Sequence, residues 1–267
     1  RDLDSFISLL GINKVPSSPT LRQRLKKGTN KFESIIKEEN INMLKTIDPD
    51  YTSCYEDYVP LDCDESPFDN SDTKKEGVSR TYKGFDGYTP DFAYLGKEGY
   101  LINTELKEGK AHSLRNAKSF LKEAIENAQD LTNNNLLVRL DAGYDSKDIL
   151  KLCLDKRVNF IIKRNLRNND KDKLINLARE KGKTFQPREG KKVYRGSFKQ
   201  ELSELKSPLT VVFEITETTI DEDGQMLITP DREIDLYWTT LDDIEYDKVI
   251  KLYQKHGTSE QFHSEIK

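Results

Sequence analysis

Between residues 113 and 165 the spacing of apolar residues changes from helical to continuous and back, and this alternation limits the possible folds more than any other feature. Ala117, Phe120, Leu121, Ala124, Ile125, Ala128 and Leu131 recur at intervals of three and four, which predicts an amphipathic helix over 113–131. LLVRLD (136–141) follows as a near-continuous apolar run closed by an acid, the pattern of a strand covered on both faces. SKDILKLCLDKR (146–157) reads as a capped helix and NFIIKRN (159–165) as the next strand. Upstream, YVPLDCD (58–64) is a short buried strand. From Val78 to Leu106, aromatic and β-branched residues alternate with Gly turns in RTYKGFDGYTPDFAYL and GYLINTEL, as in a hairpin pair. The order strand, strand, strand, helix, strand, helix, strand predicts a layered mixed α/β sheet.

The flanks are less regular. The opening, to about Asn42, reads as helical with a break at VPSSPT (15–20), where Thr20 or Ser18 can cap the helix LRQRLKK. After Asn165 regularity lapses into a basic segment. It returns in LTVVFEIT (209–216), GQMLIT (224–229) and EIDLYWTT (233–240), antiparallel strands of which the first two are joined by the turn DEDG (221–224). A last helix begins near Tyr246. The expected organisation is a helical segment at 1–50, the first part of an α/β core at 51–165, a basic and β-rich inserted subdomain at 166–240, and a final core helix at 241–267.

No apolar run approaches the roughly 18 residues of a membrane span, and no signal-peptide pattern opens the chain, so a soluble, intracellular, membrane-free chain is expected. Cys54, Cys63 and Cys153 have no paired spacing, which supports neither a disulfide framework nor a thiolate zinc site. The start at Arg1 is expected of a trimmed or partial chain. The net charge of −4 argues against nucleic acid as a partner, but it averages two opposed blocks. From Lys163 to Lys199 there are thirteen Lys or Arg against four Asp or Glu, and from Glu214 to Glu245 eleven acids against one base. A basic block of that size, including Lys163, Arg164, Lys191, Lys192 and Arg195, suits counterion release from a phosphate backbone. The plainer reading is a solvated surface.

Three acids fall at similar places in this scheme. Asp64 ends the first strand, Asp141 ends the strand after the first long helix, and Glu260 lies in the closing segment YQKHGTSEQFHSEIK. On helical spacing Tyr253, His256, Glu260, His263 and Lys267 share one face, although Gly257 and Thr258 can break that helix, with Thr258 as a new cap. Carboxylates supply the hard oxygens that Mg²⁺ or Mn²⁺ requires, and two such ions serve phosphoryl transfer. With 47 acids in the chain, spacing alone is weak support.

The closing segment carries more than spacing. Tyr253, two residues, His256, three residues, Glu260, six residues, Lys267 resembles the tyrosine, arginine, glutamate, lysine signature of bacterial insertion-sequence transposases with a DDE catalytic triad. LDAGYDS (140–146) and LDCDES (61–66) resemble the surroundings of their second and first aspartates. GYLINTELKEGKAHS, NFIIKRNL, REGKKVYRGS and HGTSEQFHSEIK extend the similarity over most of the chain. The resemblance implies a ribonuclease-H-like fold with a β-rich insertion before the third acid. It also implies divalent-metal-dependent cleavage at transposon ends with strand transfer into target DNA, a homodimer on paired terminal repeats, and a cytoplasmic chain associated with the nucleoid when bound to DNA. It maps the catalytic, metal-holding triad onto Asp64, Asp141 and Glu260, with Asp62 or Asp69 as substitutes for the first and Asp145 for the second. Tyr253, His256 and Lys267 then occupy DNA-contacting positions, and His256 departs from the family's arginine, being shorter and only partly charged at neutral pH.

Other readings use overlapping residues. Pro90-Asp91 followed by Glu105-Leu106-Lys107 is similar to the acid and acid-x-lysine pattern of restriction-type nucleases. His256, Glu260 and His263 can be drawn as a zinc face, but their order is not HExxH and no fourth ligand is evident. Trp238, the one tryptophan, either packs within the insertion or stacks on a base flipped out near a hairpinned DNA end. A non-catalytic DNA-binding fragment is the remaining alternative.

Overall fold

A computed structural model describes residues 7, 11, 13–167, 171–258 and 262. It divides into two compact units, Arg1–Ile47 and Asp48–Lys267. In the first, helix α1 spans Ser18–Ile47. The Ser17 hydroxyl accepts from the Thr20 amide at 3.4 Å and the Ser17 carbonyl from the Leu21 amide at 2.9 Å, so the cap is Ser17, neither Ser18 nor Thr20. Pro19 then falls in the first turn, where its missing N–H removes no helical bond and its φ is already helical.

The second unit contains β1 (Val59–Glu65), β2 (Phe68–Asp69), β3 (Ser79–Arg80), β4 (Asp86–Tyr88), β5 (Asp91–Leu95), β6 (Tyr100–Glu105), helix α2 (Ala117–Leu131), β7 (Leu136–Leu140), α3 (Lys147–Asp155) and β8 (Asn159–Lys163). There follow α4 (Lys171–Lys181), β9 (Lys183–Arg188), β10 (Lys191–Gln200), β11 (Leu209–Ile220), β12 (Met226–Thr239) and α5 (Tyr246–Gln254). Nine strands form one sheet in the order β6-β5-β1-β7-β8-β12-β11-β10-β9, and β2-β4-β3 form a small second sheet. β5 and β6 run as antiparallel neighbours beside β1, whereas β7 and β8 are parallel to it. This central third-second-first-fourth-fifth arrangement is the layout of a ribonuclease-H-like core within a mixed α/β sheet.

The periodic stretches fold as their spacing dictates. Every predicted apolar position of α2 except Leu131 is buried, and β7 is buried along its whole length. The helix starts at Ala117 and not at 113, because Asn116 adopts a left-handed conformation (φ 60°) that ends the preceding turn. Ser146 caps α3, its hydroxyl accepting from the Ile149 amide.

The region after Asn165 differs from its expectation in two ways. The basic segment is not irregular: it forms α4, β9 and β10. The antiparallel β-rich insertion is present as β9–β12 and extends the core sheet, because β12 pairs antiparallel with β8 through Tyr237, Trp238 and Thr239. The junction pairs Tyr237 with Lys163, Trp238 with Ile162 and Thr239 with Ile161, and Leu137, Ile161, Val212, Tyr237, Val249, Ile250 and Leu252 share one buried cluster. That cluster joins β7, β8, β11 and β12 to α5. The two strands expected at 224–229 and 233–240 form the single strand β12. Pro230 is accommodated where the register to β11 shifts, on an edge that β8 does not reach.

The opposed charge blocks face each other. Arg195 pairs with Glu214 and Asp247, Arg179 with Glu217, Lys163 with Asp235, Lys199 with Asp242, and Arg232 with Asp172. No helix among the described residues is long and apolar enough to cross a membrane.

Candidate active site

Parallel pairing of β1 with β7 sets Cys63 opposite Leu140. The next residues, Asp64 and Asp141, therefore lie side by side where the two central strands end. Asp64 Oδ1 accepts from the Glu65 amide at 2.8 Å. Asp141 caps a 3-10 turn, Ala142–Tyr144, its Oδ1 accepting from the Gly143 amide at 2.9 Å. A Cβ at Gly143 would approach that oxygen to 3.0 Å and the Ser113 side chain to 3.3 Å, so glycine permits the carboxylate to fold back onto the turn. Burial pushes the Asp141 carboxyl above the usual aspartate range, and the Gly143 amide and the charge of His256 partly offset the rise.

Both acids open into a cavity of about 720 Å³ whose wall also includes Ser66, Lys163, Tyr253 and His256. Helix α5 supplies the last two because its apolar residues Val249, Ile250 and Leu252 are buried against the sheet. The Tyr253 ring lies 4.7 Å from that of Tyr237, and burial raises its phenol pKa. Beneath the cavity is a buried ion pair between adjacent strands. Arg139 donates from Nε to Asp62 Oδ1 at 2.7 Å, from Nη2 to Asp62 Oδ2 at 2.6 Å, and from Nη1 to the Leu252 carbonyl at 2.7 Å. One guanidinium thus ties β1, β7 and α5 together under the two acids. His256 Nδ1 lies 3.5 Å from Asp62 Oδ1.

Of the residues singled out from sequence, the cavity gathers Asp64, Asp141, Tyr253, His256 and Lys163. Glu260, His263 and Lys267 lie outside the described residues. His256 is 6% exposed and turned toward Asp62, an inward place for a residue expected at a phosphate. Asp62 is held by Arg139. Asp69 accepts from Ser71, and Asp145 accepts from the Trp238 indole at 3.0 Å and the Asn165 amide at 2.8 Å. Trp238 is 3% exposed with the Arg164 guanidinium 4.6 Å over its ring, so it packs in the sheet and presents no face to a flipped base. Arg164 also donates to Gln200, and Arg195 is held by its two acids. Lys191 is partly exposed and Lys192 exposed on β10.

The restriction-like residues do come together, but in a closed cluster. Lys107 lies 2.8 Å from Asp91 and 2.6 Å from Glu65, all three side chains being buried, while Glu105 accepts from Asn116. Tyr144 donates to Asp91 at 3.3 Å, and burial pushes the Asp91 carboxyl up to about 7 despite the lysine. Among the described residues no three His, Cys, Asp or Glu side chains gather as a metal group, and Asp64 with Asp141 supplies two hard-oxygen donors. Arg139, Asp235, Tyr82 and Lys83 also belong to the site or its frame and were not singled out from sequence. Arg139 was detectable only as a lone charge inside the run LLVRL.

Comparison with known proteins adds the family. The model of the transposase DDE domain group 1 matches residues 6–267. Among solved structures, a piggyBac transposase synaptic complex with hairpin DNA aligns over 92% of this chain and 47% of its own, at 12% identity and a TM-score of 0.49. The chain thus spans about half the length of that transposase. The NurA nuclease from Sulfolobus solfataricus aligns over 88% of this chain and 85% of its own, at 10% identity and a TM-score of 0.32. No curated protein sequence matches. On the family match across nearly its whole length, the chain belongs to the transposase DDE domain group 1.

Proposed function

We propose that this domain cleaves DNA at transposon ends and transfers the freed 3′ end into target DNA, with Asp64 and Asp141 as two members of its catalytic triad and Glu260 as the third. The observation that carries the reading is that Asp64 and Asp141 each follow directly on the paired Cys63 and Leu140 of adjacent parallel strands and line one cavity, in a chain of the DDE family. The donor set fits a hard divalent cation: two carboxylates, each with one oxygen steadied by a backbone amide. Mg²⁺ or Mn²⁺ held by Asp64, Asp141 and Glu260 would supply an activated water and neutralise charge at the phosphate.

The chain's own groups do the rest. Asp141, with its raised pKa, must lose its proton before it can serve as a ligand. Lys163 lies on the cavity wall in an ion pair with Asp235, and Arg139 holds α5 in place through Leu252. Tyr253, His256, Glu260 and Lys267 correspond to the family's tyrosine, arginine, glutamate, lysine signature, and with them comes the proposal of a bacterial insertion-sequence origin. The partners are the terminal inverted repeats and target DNA, engaged by a homodimer. Lys191 and Lys192 position the DNA backbone without reading sequence.

The test is nicking of a supercoiled plasmid carrying candidate ends, in Mg²⁺ or Mn²⁺, by the parent and by Asp64→Asn, Asp141→Asn and Glu260→Gln. Each substitution is expected to reduce nicking by more than the roughly 10–100-fold lost with a residue that only orients a ligand. Undiminished nicking by any of the three removes that residue from the triad.

A further inference from the structure

The cavity wall also includes a turn that plays no part in the reading above. β3 and β4 pair through Arg80 and Asp86, and the loop between them is TYKGF (81–85). The Thr81 amide and hydroxyl both donate to the Phe85 carbonyl at 2.8 Å, and the Gly84 amide donates to the Thr81 carbonyl at 3.0 Å. Gly84 has φ +88°, a conformation that glycine adopts without the steric cost of a side chain. Thr81 itself is buried. The loop is therefore a braced tip with a defined shape. It carries Tyr82, 66% exposed, and Lys83, and both line the cavity that holds Asp64 and Asp141.

An aromatic ring next to a lysine on a braced turn has the two parts needed to hold a single nucleic-acid strand. The ring offers a face for a base, and the ammonium offers a charge for the adjoining phosphate. The other lysine and tyrosines of the wall are engaged within the protein. Lys163 is committed to Asp235, and Tyr253 is buried against Tyr237. Bracing also matters energetically, because a tip already ordered loses little freedom on binding.

We propose that the Tyr82–Lys83 turn grips one DNA strand at the cavity wall, Tyr82 stacking on an unpaired base beside the scissile phosphate and Lys83 meeting a neighbouring phosphate. The proposal rests on the DNA-cleaving reading of the same cavity and names the form of substrate it takes: a locally unpaired end. It separates the roles of the two residues, with Tyr82 sensing unpaired bases and Lys83 adding sequence-independent attraction.

The test is fluorescence anisotropy without divalent cation, using a fully paired duplex and the same duplex with three unpaired nucleotides at one end. Tyr82→Ala is expected to weaken binding of the unpaired end about ten-fold more than binding of the paired one, and Tyr82→Trp to restore the difference. Lys83→Ala is expected to weaken both alike and to reduce the slope of log affinity against log salt by about one. Equal binding of both duplexes by parent and Tyr82→Ala overturns the grip. If nicking by the parent still depends on Asp141, the cavity's catalytic reading survives that result; a parent that neither binds nor nicks DNA overturns both.

Discussion

Replacing Arg139 by Met removes a charge that is 2% exposed and makes three hydrogen bonds shorter than 2.8 Å. Two of these neutralise Asp62, which is itself 3% exposed. A buried carboxylate stripped of its cation typically costs about 3–5 kcal/mol. The Leu252 carbonyl loses its donor as well, for about 1–3 kcal/mol that partly overlaps with the first loss. We therefore expect Arg139→Met to lose about 4–6 kcal/mol, a large share of the roughly 5–15 kcal/mol by which a domain is stable. Adding Asp62→Leu removes the stranded charge, and the double variant is expected within about 2 kcal/mol of the parent, because apolar replacement of a buried ion pair is often neutral. Urea unfolding followed by circular dichroism, with the slope m compared across the four proteins, measures both numbers. A loss below about 1 kcal/mol for the single variant, or a double variant as unstable as the two singles summed, refutes the reasoning. The double variant also separates folding from placement: folded, but with Leu252 unanchored, it should nick DNA about 10–100-fold more slowly.

Three further outcomes are expected. Because burial raises the Asp141 pKa, protons compete with the cation above the usual aspartate range; Mn²⁺ affinity measured by calorimetry should rise with pH across that window, and Asp141→Asn should flatten the rise. The folded-state pKa of Asp91, about 7 against 3.8 in the unfolded chain, means that the folded protein binds this proton more tightly, so its stabilising effect is complete below about pH 4 and is lost as pH rises through 7. Lys107→Met should therefore cost up to about 3–5 kcal/mol at pH 8 and clearly less at pH 5, and equal urea midpoint shifts at the two pH values would contradict this. Trp238→Phe leaves Asp145 without the indole donor and should cost about 1–3 kcal/mol while leaving DNA affinity unchanged; a selective loss of binding to unpaired DNA would instead put the ring at the substrate.

The parts of this molecule that were legible in its sequence are those governed by local periodicity. α2, β7, α3 and β8 each announce themselves within one or two turns or a single strand, and Asp141 stands out because an acid closes an apolar run. Ser146 as a cap and DEDG as a turn are likewise local. What stayed hidden depends on partners far along the chain. Arg139 reads as a flaw in an apolar strand until Asp62, 77 positions away, is placed against it. His256 reads as a surface residue on helical spacing, but α5 ends at Gln254, and the following 3-10 turn carries the imidazole inward. The charge blocks of the 166–240 region read as surface for a phosphate backbone or for solvent. Arg195 opposite Glu214 in the β10–β11 register shows those charges used largely on one another. Tyr82 reads as one more aromatic in the alternating stretch from Val78 to Leu106, and only the fold shows that it sits in the β3–β4 loop and lines the cavity.

If Asp64, Asp141, Lys191 and Lys192 meet DNA as proposed, the single sheet of nine strands also sets the distance between the two contacts. Five strand-to-strand steps separate β1 from β10. At about 4.8 Å per step this is about 24 Å of lateral distance. With about 20–25° of twist per step, β10 is turned by about 100–125° relative to β1. The register places Ser197 of β10 level with Asp64, so Lys192 and Lys191 stand five and six residues further along that strand, about 17–20 Å more, and a duplex whose phosphate lies at Asp64 and Asp141 would have to span about 30 Å, about nine base pairs at about 3.4 Å each, to reach them. It would meet them on a different side of the double helix. On the proposed reading the span between the two contacts follows the strand count: each strand added between the acids and the outer lysines would move the second contact by about one base pair and rotate it around the duplex.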